Sequence, residues 1–250
     1  MECPKAVLFD LDDTLAESFK PPKPETLEKL KRLLDHMPCA IVTAAGYARI
    51  AEQILPEISK SKNVWRFYVF PNSAADCYSW DGESWQKSYT FALTPEERAT
   101  ITAAIQKDAH TMVGDDPVYK WRIIDREAQV AFAAIGLDAP LEEKKAWDPD
   151  QKKRAKLQKT LQKQLPEFEV LIGGMTTIDI TRKGINKAYG VEWMAKKLDC
   201  KPKEMLYVGD ALYPGGNDYV VIPTGIKTRM VTGPADTSSV LDELLSVCDV

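Results

Sequence analysis

Acidic and hydroxyl side chains follow three of the short apolar runs in this sequence. Residues 10–14 (DLDDT) come directly after the first run, Thr43 follows the second, and Asp210 follows a later one, with Asp218 eight positions beyond it. Carboxylates crowded into one place repel one another unless a cation or a proton lies among them. Mg²⁺ suits such a place, because it binds one or two carboxylates together with water and phosphate oxygens. If these clusters meet in the fold, they predict a magnesium site that handles phosphate.

The elements predicted around these clusters would bring them to one edge of a sheet. Apolar runs typical of strands buried on both faces alternate with helical patterns in the first third of the chain and again near its end. That alternation favours a parallel sheet with right-handed crossovers, which binds ligands at the carboxyl ends of its strands. The predicted strands are residues 6–9, 39–42, 67–70, 205–208, 219–222 and 229–231, and the predicted helices are residues 25–34, 47–55, 191–198 and 237–247.

The middle of the chain predicts a separate module, in which a helix and two strands are followed by another helix and two strands. This order is typical of an antiparallel sheet covered on one face. We therefore predict an α/β fold with a Rossmann-like parallel-sheet core domain of residues 1–86 and 187–250, and an inserted α+β domain of residues 87–186. The helices of the insert are residues 95–109 and 150–165, and its strands are residues 119–124, 129–135, 169–172 and 176–181.

Composition and charge exclude several other classes of function. A net charge of −4 does not favour nucleic acid or an anionic membrane as a partner. Apolar stretches stay well short of the roughly 20 residues that span a bilayer. The first residues lack the features of a signal peptide, so a cytoplasmic location is expected.

Cysteine and histidine usage narrows the chemistry further. The five cysteines form no CxxC pair and are odd in number, which is typical of reduced thiols and not of a disulfide framework. The only histidines, His36 and His110, are far apart in the sequence, so a zinc site or a Ser-His-Asp triad is poorly supported. Carboxylates, lysines, hydroxyls and a metal are left to carry any catalysis.

Four motifs taken together resemble those of the haloacid dehalogenase (HAD) superfamily. They are the Asp-x-Asp-x-Thr run at residues 10–14, Thr43 after the second strand, Lys187 opening a later helix, and the segment at residues 209–218. The position of the insert resembles subclass IIB, which carries a C2 cap. The sequence of residues 209–218 (GDALYPGGND) resembles the GDxxxPGGND segment of eukaryotic-type phosphomannomutases, and the resemblance covers nearly the whole chain.

The resemblance implies a role in phosphoryl transfer for each matching residue. Asp10 would be the nucleophile that forms an aspartyl phosphate, and Asp12 would be the general acid and base. Thr43 and Lys187 would hold the oxygens of the transferring phosphoryl group. The implied cofactor is Mg²⁺, with Asp10, Asp12 (through its backbone carbonyl), Asp210 and Asp218 as the implied metal-binding residues.

The insert differs from the family at positions that bind the substrate. Arg126 matches the first of three phosphate-binding arginines, but Leu137 stands at the second position and Lys144 at the third. Thr177 and Asp179 match a serine and an aspartate that contact the sugar. A mutase must hold a bisphosphorylated sugar in two orientations, so a weakened phosphate clamp favours hydrolysis. The expected partner is a small phosphorylated substrate of the sugar-phosphate class, and a monomer or a cap-mediated homodimer is expected.

Two other functions stay open at this point. A phosphomannomutase-like phosphohexomutase fits the same motifs, because one scaffold hosts both reactions. A non-catalytic protein that binds a phosphorylated ligand is a third interpretation. Single residues also have simpler explanations: an aspartate after a strand can be a helix cap, Lys187 a surface lysine, and Arg126 a hairpin-turn residue.

Overall fold

The computed structural model describes residues 2–113 and 118–248, with the backbone alone for residues 109–113. The chain forms two compact units: Met1–Thr90 with Lys187–Val250 make up the core unit, and Phe91–Asn186 make up the insert unit. The strands are β1 (Val7–Phe9), β2 (Cys39–Val42), β3 (Phe67–Phe70), β4 (Asp76–Trp80), β5 (Trp85–Thr90), β6 (Arg122–Asp125), β7 (Val130–Ala133), β8 (Phe168–Ile172), β9 (Thr177–Arg182), β10 (Leu206–Gly209) and β11 (Lys227–Met230). The α-helices are α1 (Pro24–His36), α2 (Tyr47–Gln53), α3 (Leu55–Ile58), α4 (Pro95–Val113), α5 (Leu141–Trp147), α6 (Lys152–Gln164), α7 (Lys187–Lys197) and α8 (Pro234–Cys248). Within the described residues, none of these helices combines the length and the apolar character needed to cross a membrane.

A mixed sheet in the order β11-β10-β1-β2-β3-β4-β5 forms the centre of the core unit. β1 pairs in parallel with β10 on one side and with β2 on the other, and β2 pairs in parallel with β3. The hairpin of β4 and β5 extends the sheet with antiparallel pairing. Because β10, β1 and β2 are parallel neighbours, the residues that follow them, Asp210, Asp10 and Thr43, leave the sheet at the same edge.

Helices cover both faces of this sheet, because successive side chains of a strand point to opposite sides. Phe9 and Ile41 pack on one face with leucines of α1 and α8, including Leu30 and Leu241. Leu8 packs on the other face in a cluster that includes apolar residues of α7. Truncating a buried residue of this size typically costs about 2–5 kcal/mol. The strands that precede the acidic residues are therefore held in place by apolar packing on both faces of the sheet.

The insert unit contains an antiparallel sheet in the order β6-β7-β9-β8. Residues such as Val130, Phe132 and Ile180 pack in one apolar cluster with Ile105 of α4 and Leu161 of α6. A helix-covered antiparallel sheet of this kind is the arrangement that the sequence pattern predicts for this part of the chain.

The predicted α/β fold class is confirmed, with two differences in the core unit. The β4–β5 hairpin was not predicted, since the β5 sequence WQKSYT is largely polar and exposed and lacks an apolar run. Residues 219–222 were predicted as a strand, but Tyr219–Thr224 is a 3₁₀-helix. Its first turns close through bonds from Tyr219 N to Gly216 O and from Val221 N to Asp218 O. Pro223 has no N–H to offer to a sheet, which also disfavours a strand here.

One pair of cysteines departs from the expectation of reduced thiols. Cys3 and Cys248 form a disulfide, with Cα atoms 5.3 Å apart and a sequence separation of 245 residues. Cys3 precedes β1 and Cys248 ends α8, so the proximity arises from tertiary structure and leaves no trace in the cysteine spacing. The prediction is wrong for this pair, whereas Cys39, Cys77 and Cys200 are free thiols.

Candidate active site

Lys187 lies between two carboxylates in the core unit. Its Nζ donates to Oδ1 of Asp10 at 2.6 Å and to Oδ1 of Asp218 at 2.7 Å. None of the three side chains is more than 5% exposed. Burial alone lowers the pKa of Lys187, but the two carboxylates outweigh this effect and raise the pKa above its usual value. Lys187 is therefore a buried cation in an ion-pair network, and the simpler explanation of a surface lysine does not hold.

The carboxylates of Asp10, Asp210 and Asp218 form a cluster whose oxygens lie within 4.8 Å of one another. Burial raises the pKa of Asp10 well above its usual value, although Lys187 opposes the shift. Burial also raises the pKa of Asp210 to about 6, and the charge of Asp218 adds to that shift. Three carboxylates and one ammonium leave two negative charges uncompensated, and one divalent cation would balance them. The donor set therefore fits a hard, oxygen-binding ion.

Asp218 is fully buried and accepts three hydrogen bonds. Oδ1 accepts from Lys187 Nζ and, at 2.6 Å, from Tyr207 Oη, and Oδ2 accepts from Ala211 N at 3.1 Å. Burial and the adjacent carboxylate raise the pKa of Tyr207 well above its usual value, so the phenol remains a donor. Gly209 is required beside them, because a Cβ there would lie 2.3 Å from Asp218 Oδ2. Since a carboxylate has about four acceptor positions, Asp218 is mostly engaged in orienting its neighbours.

Thr14 connects the loop after β1 to the end of β10. Its Oγ1 donates to Asp210 Oδ1 at 3.3 Å and accepts from Asp210 N at 3.1 Å. The backbone N of Asp10 donates to Val208 O at 2.9 Å, which joins the same two strands. These bonds hold Asp210 against Asp10 although the two residues are far apart in the sequence.

Asp12 lies in a more open environment than Asp10. Its Oδ1 accepts from Phe19 N at 3.0 Å, and its Oδ2 accepts from Arg49 Nη1 at 2.8 Å. The Asp12 side chain is 31% exposed, against 5% for Asp10. Two carboxylates in unlike environments can take different tasks, one as nucleophile and the other in proton transfer.

Thr43 is placed at the carboxyl end of β2, the strand next to β1. The residue is buried, and its Oγ1 accepts from Ala45 N at 3.1 Å. Its backbone oxygen accepts from Ser73 N at 2.8 Å. Asn72, Ser73 and Ala74 have φ angles of 54°, 56° and 66°. Three such residues in a row are uncommon, and strained backbone of this kind tends to occur at functional sites.

The predicted cations of the insert unit have protein partners. Arg126 lies in the turn between β6 and β7, where its Nη1 donates to Gln129 Oε1 at 2.8 Å. Lys144, on α5, is buried, and its Nζ donates to the backbone oxygen of Leu137 at 2.7 Å. Burial lowers the pKa of Lys144, with Asp138 opposing the shift. The Leu137 side chain is 43% exposed.

Thr177 and Asp179 lie on the same face of β9 and meet at Gly173. A Cβ at Gly173 would lie 2.1 Å from Thr177 Oγ1 and 2.3 Å from Asp179 Oδ2. Arg154, at the start of α6, is buried and donates to the carbonyl oxygen of Gly174. The loop beside Thr177 and Asp179 is therefore fastened to the start of α6.

Two residues of the core site, Arg49 and Tyr207, were not identified from the sequence. Tyr207 carries a hydroxyl in an otherwise apolar strand, a pattern that could have indicated a buried acceptor nearby. Arg49 stands 37 positions from Asp12, and its sequence context carries no signal for the contact. The predicted residues that the structure places in the core unit are Asp10, Asp12, Thr43, Lys187, Asp210 and Asp218, and those in the insert unit are Arg126, Lys144, Thr177 and Asp179.

Known proteins resemble this chain in both sequence and fold. The family model for eukaryotic phosphomannomutase matches residues 25–247. A phosphomannomutase of Spinacia oleracea is 26% identical over 246 residues, covering 95% of this chain and 94% of its own length. The phosphomannomutase of Saccharomyces cerevisiae is 25% identical over 248 residues, with 96% and 94% covered.

Solved structures share the fold at lower sequence identity. An N-terminally truncated IMP-nucleotidase of Plasmodium falciparum has a TM-score of 0.73 at 18% identity, covering 98% of this chain and 71% of that one. A haloacid dehalogenase-like hydrolase from Bacteroides thetaiotaomicron has a TM-score of 0.63 at 12% identity, with 96% and 99% covered. The match of the family model over most of the chain, together with this fold, makes the chain a member of the eukaryotic phosphomannomutase family and a phosphoryl-transfer enzyme of the HAD type.

Proposed function

We propose that this enzyme hydrolyses a small phosphorylated metabolite, such as a sugar phosphate, through an aspartyl phosphate on Asp10. A carboxylate oxygen of Asp10 attacks phosphorus, and the bond from phosphorus to the ester oxygen breaks as Asp12 gives that oxygen a proton. Water then attacks the aspartyl phosphate and loses its proton to Asp12. The bond between phosphorus and Asp10 breaks, which releases phosphate and restores the Asp10 carboxylate and the protonated Asp12.

The cluster of Asp10, Lys187, Asp210 and Asp218 supports this reaction. Asp10 and Asp210, with the backbone carbonyl of Asp12, would hold Mg²⁺, and Asp218 would orient Lys187 beside them. Bound there, Mg²⁺ would neutralise negative charge on the phosphoryl oxygens. Lys187 and Thr43 would hold the same oxygens from the protein side, which keeps phosphorus in line with Asp10.

The environment of Lys144 is the observation that favours water over a sugar as the acceptor. A mutase must also hold a second phosphate at the far end of its substrate, a task suited to the forked donors of arginine. At the matching positions this chain has Leu137, which is apolar, and Lys144, whose buried ammonium donates to the Leu137 carbonyl. Both features weaken a distal phosphate site, so the aspartyl phosphate is more readily resolved by water.

A phosphohexomutase is the second candidate, and the family match favours it, because the curated relatives are named phosphomannomutase. A non-catalytic phospho-ligand binding protein is less well supported, since Asp10, Asp12, Lys187 and Asp210 are all retained.

Product analysis separates the two enzyme activities. Mannose 1-phosphate is supplied with Mg²⁺, with and without a catalytic amount of hexose 1,6-bisphosphate, and free phosphate and the 6-phosphate are both quantified. We expect phosphate release to exceed 6-phosphate formation in both conditions. Efficient conversion to mannose 6-phosphate with little free phosphate would contradict the hydrolysis proposal and support the phosphohexomutase. Leu137→Arg should raise the 6-phosphate fraction, and Leu137→Gln serves as its uncharged control.

A further inference from the structure

The carboxylate of Asp12 is held on both of its oxygens by groups outside the metal-binding cluster. Phe19 N donates to Oδ1 at 3.0 Å, and Arg49 Nη1 donates to Oδ2 at 2.8 Å. The two contacts leave the side chain little freedom, because moving either oxygen breaks a hydrogen bond. Asp12 is therefore fixed in one orientation although almost a third of its surface is exposed.

Arg49 is in turn anchored by three other groups. Its Nε donates to Gln53 Oε1 at 3.2 Å, its Nη2 donates to the backbone oxygen of Lys20 at 3.2 Å, and its guanidinium lies over the Phe19 ring at 5.9 Å from the centroid. Arg49 and Gln53 both belong to α2, and Ile50 of this helix packs in the same apolar cluster as Phe9 and Ile41 of the core sheet. The guanidinium thus joins Asp12 and Lys20, at the two ends of the segment of residues 12–20, to α2.

We infer that Arg49 is the positioning residue for Asp12 in proton transfer, an inference that rests on the proposed function. Proton transfer to the leaving oxygen requires Asp12 to be within hydrogen-bond reach of it, and an error of about 1 Å can cost roughly 100-fold in rate. Arg49 supplies that precision from α2. It touches no reacting atom in this scheme and acts through Asp12 alone.

A purely structural role for Arg49 predicts a different pattern of effects. Partly exposed ion pairs of this kind contribute little to stability. If the contact mattered only for folding, its loss would lower the unfolding temperature slightly and reduce turnover equally for all substrates. A positioning role instead makes the loss depend on how much the leaving group needs a proton.

Two substrates with different leaving groups test the inference. p-Nitrophenolate leaves without protonation, whereas the alkoxide of a sugar phosphate needs the proton that Asp12 donates. We expect Arg49→Met to lower the single-turnover rate of leaving-group release by about 10- to 100-fold for a sugar phosphate and by less than about 3-fold for p-nitrophenyl phosphate. The later attack of water uses Asp12 as base with both substrates and lies outside this rate. Arg49→Lys should recover part of the sugar-phosphate rate, because lysine can donate to Asp12 but cannot also reach Lys20 as a fork does.

Arg66→Met is the matched control. Arg66 also donates to backbone carbonyls, those of Leu34 and Asp35, and its guanidinium lies over the Trp65 ring at 4.9 Å from the centroid. It has no contact with Asp12 among the described residues, so its loss should leave the ratio of the two rates unchanged.

A double-mutant cycle with Asp12→Ala completes the test. If Arg49 acts through Asp12, adding Arg49→Met to Asp12→Ala should change the single-turnover rate of leaving-group release from the sugar phosphate less than about 3-fold, because coupled residues are not additive. Equal losses on both substrates, or full additivity in the cycle, would overturn the inference while leaving Asp10 chemistry intact. A wild-type enzyme inactive on every phosphomonoester would instead remove the proposed function and this inference together.

Discussion

Replacing Lys187 with methionine should destabilise the core unit when no divalent cation is present. Lys187 Nζ lies 2.6 Å from Asp10 and 2.7 Å from Asp218, and all three side chains are buried. At an effective dielectric constant of about 20, each pair attracts by roughly 6 kcal/mol, which is offset by several kcal/mol for removing the ammonium from water. Removing one partner from buried pairs of this kind typically costs about 3–5 kcal/mol.

Thermal unfolding followed by circular dichroism in EDTA measures this loss. At about 3 °C per kcal/mol for a protein of this size, the expected decrease in unfolding temperature is about 9–15 °C. Mg²⁺ should restore part of the decrease, because it compensates the carboxylates that the ammonium no longer balances. Adding Asp218→Asn should also restore part, since it removes one of those carboxylates.

Lys196→Met provides the control on the same helix, because Lys196 is exposed on α7. Its unfolding temperature should stay within about 2 °C of the wild-type value. If Lys187→Met unfolds within about 2 °C of the wild type, as the control should, the account of a charge-balanced buried cluster is refuted. A decrease in the unfolding temperature of Lys187→Met that is not reduced by adding Asp218→Asn would also contradict this account.

Three further predictions concern the metal-binding residues and the disulfide. Burial raises the pKa of Asp210 to about 6 from an ordinary 3.8. The folded protein therefore binds this proton more tightly than the unfolded chain does, and the stability that the proton provides is lost as pH rises through this range. Mg²⁺ should then raise the unfolding temperature more at about pH 7.5, where Asp210 is ionised, than at about pH 5. Gly209→Ala should reduce kcat at least about 10-fold and weaken Mg²⁺ binding measured by calorimetry, because its Cβ would lie 2.3 Å from Asp218 Oδ2. Reduction of the disulfide between Cys3 and Cys248 should destabilise the chain by about 2–4 kcal/mol in denaturant titrations, and Cys3→Ser should match the reduced wild type and be insensitive to dithiothreitol. No difference between pH values, an unchanged Gly209→Ala enzyme, or a reductant effect that persists in Cys3→Ser would contradict the respective prediction.

The parts of the fold that were predictable from sequence are those with strong local patterns. Continuous apolar runs identify β1, β2, β3 and β10, and the rule that parallel sheets bind ligands at their carboxyl ends places Asp10, Thr43 and Asp210 together. The β4–β5 hairpin has polar, exposed strands, and its pairing depends on an edge that only the folded sheet provides. The 3₁₀-helix at residues 219–224 follows from turn geometry, which apolar content alone does not reveal.

The side-chain network was less predictable than the backbone. The sequence contains Lys187 and Asp218, but their meeting with Asp10 depends on three elements that pack only in the tertiary structure. Arg49 and Tyr207 enter the site through contacts that span long stretches of sequence. Long-range polar contacts of this kind have no period or spacing that a single sequence displays.

Chemical trapping of the phosphorylated residue tests most directly whether Asp10 is the nucleophile. The Asp12→Ala enzyme, which lacks the base for water attack, is mixed with p-nitrophenyl phosphate and Mg²⁺, quenched in acid, and treated with borohydride, which reduces an aspartyl phosphate to homoserine. Peptide mass spectrometry should then find homoserine at position 10, and none when Asp10→Asn is added. Homoserine at another aspartate, or full p-nitrophenyl phosphate turnover by Asp10→Asn, would contradict the assignment of Asp10 as the nucleophile.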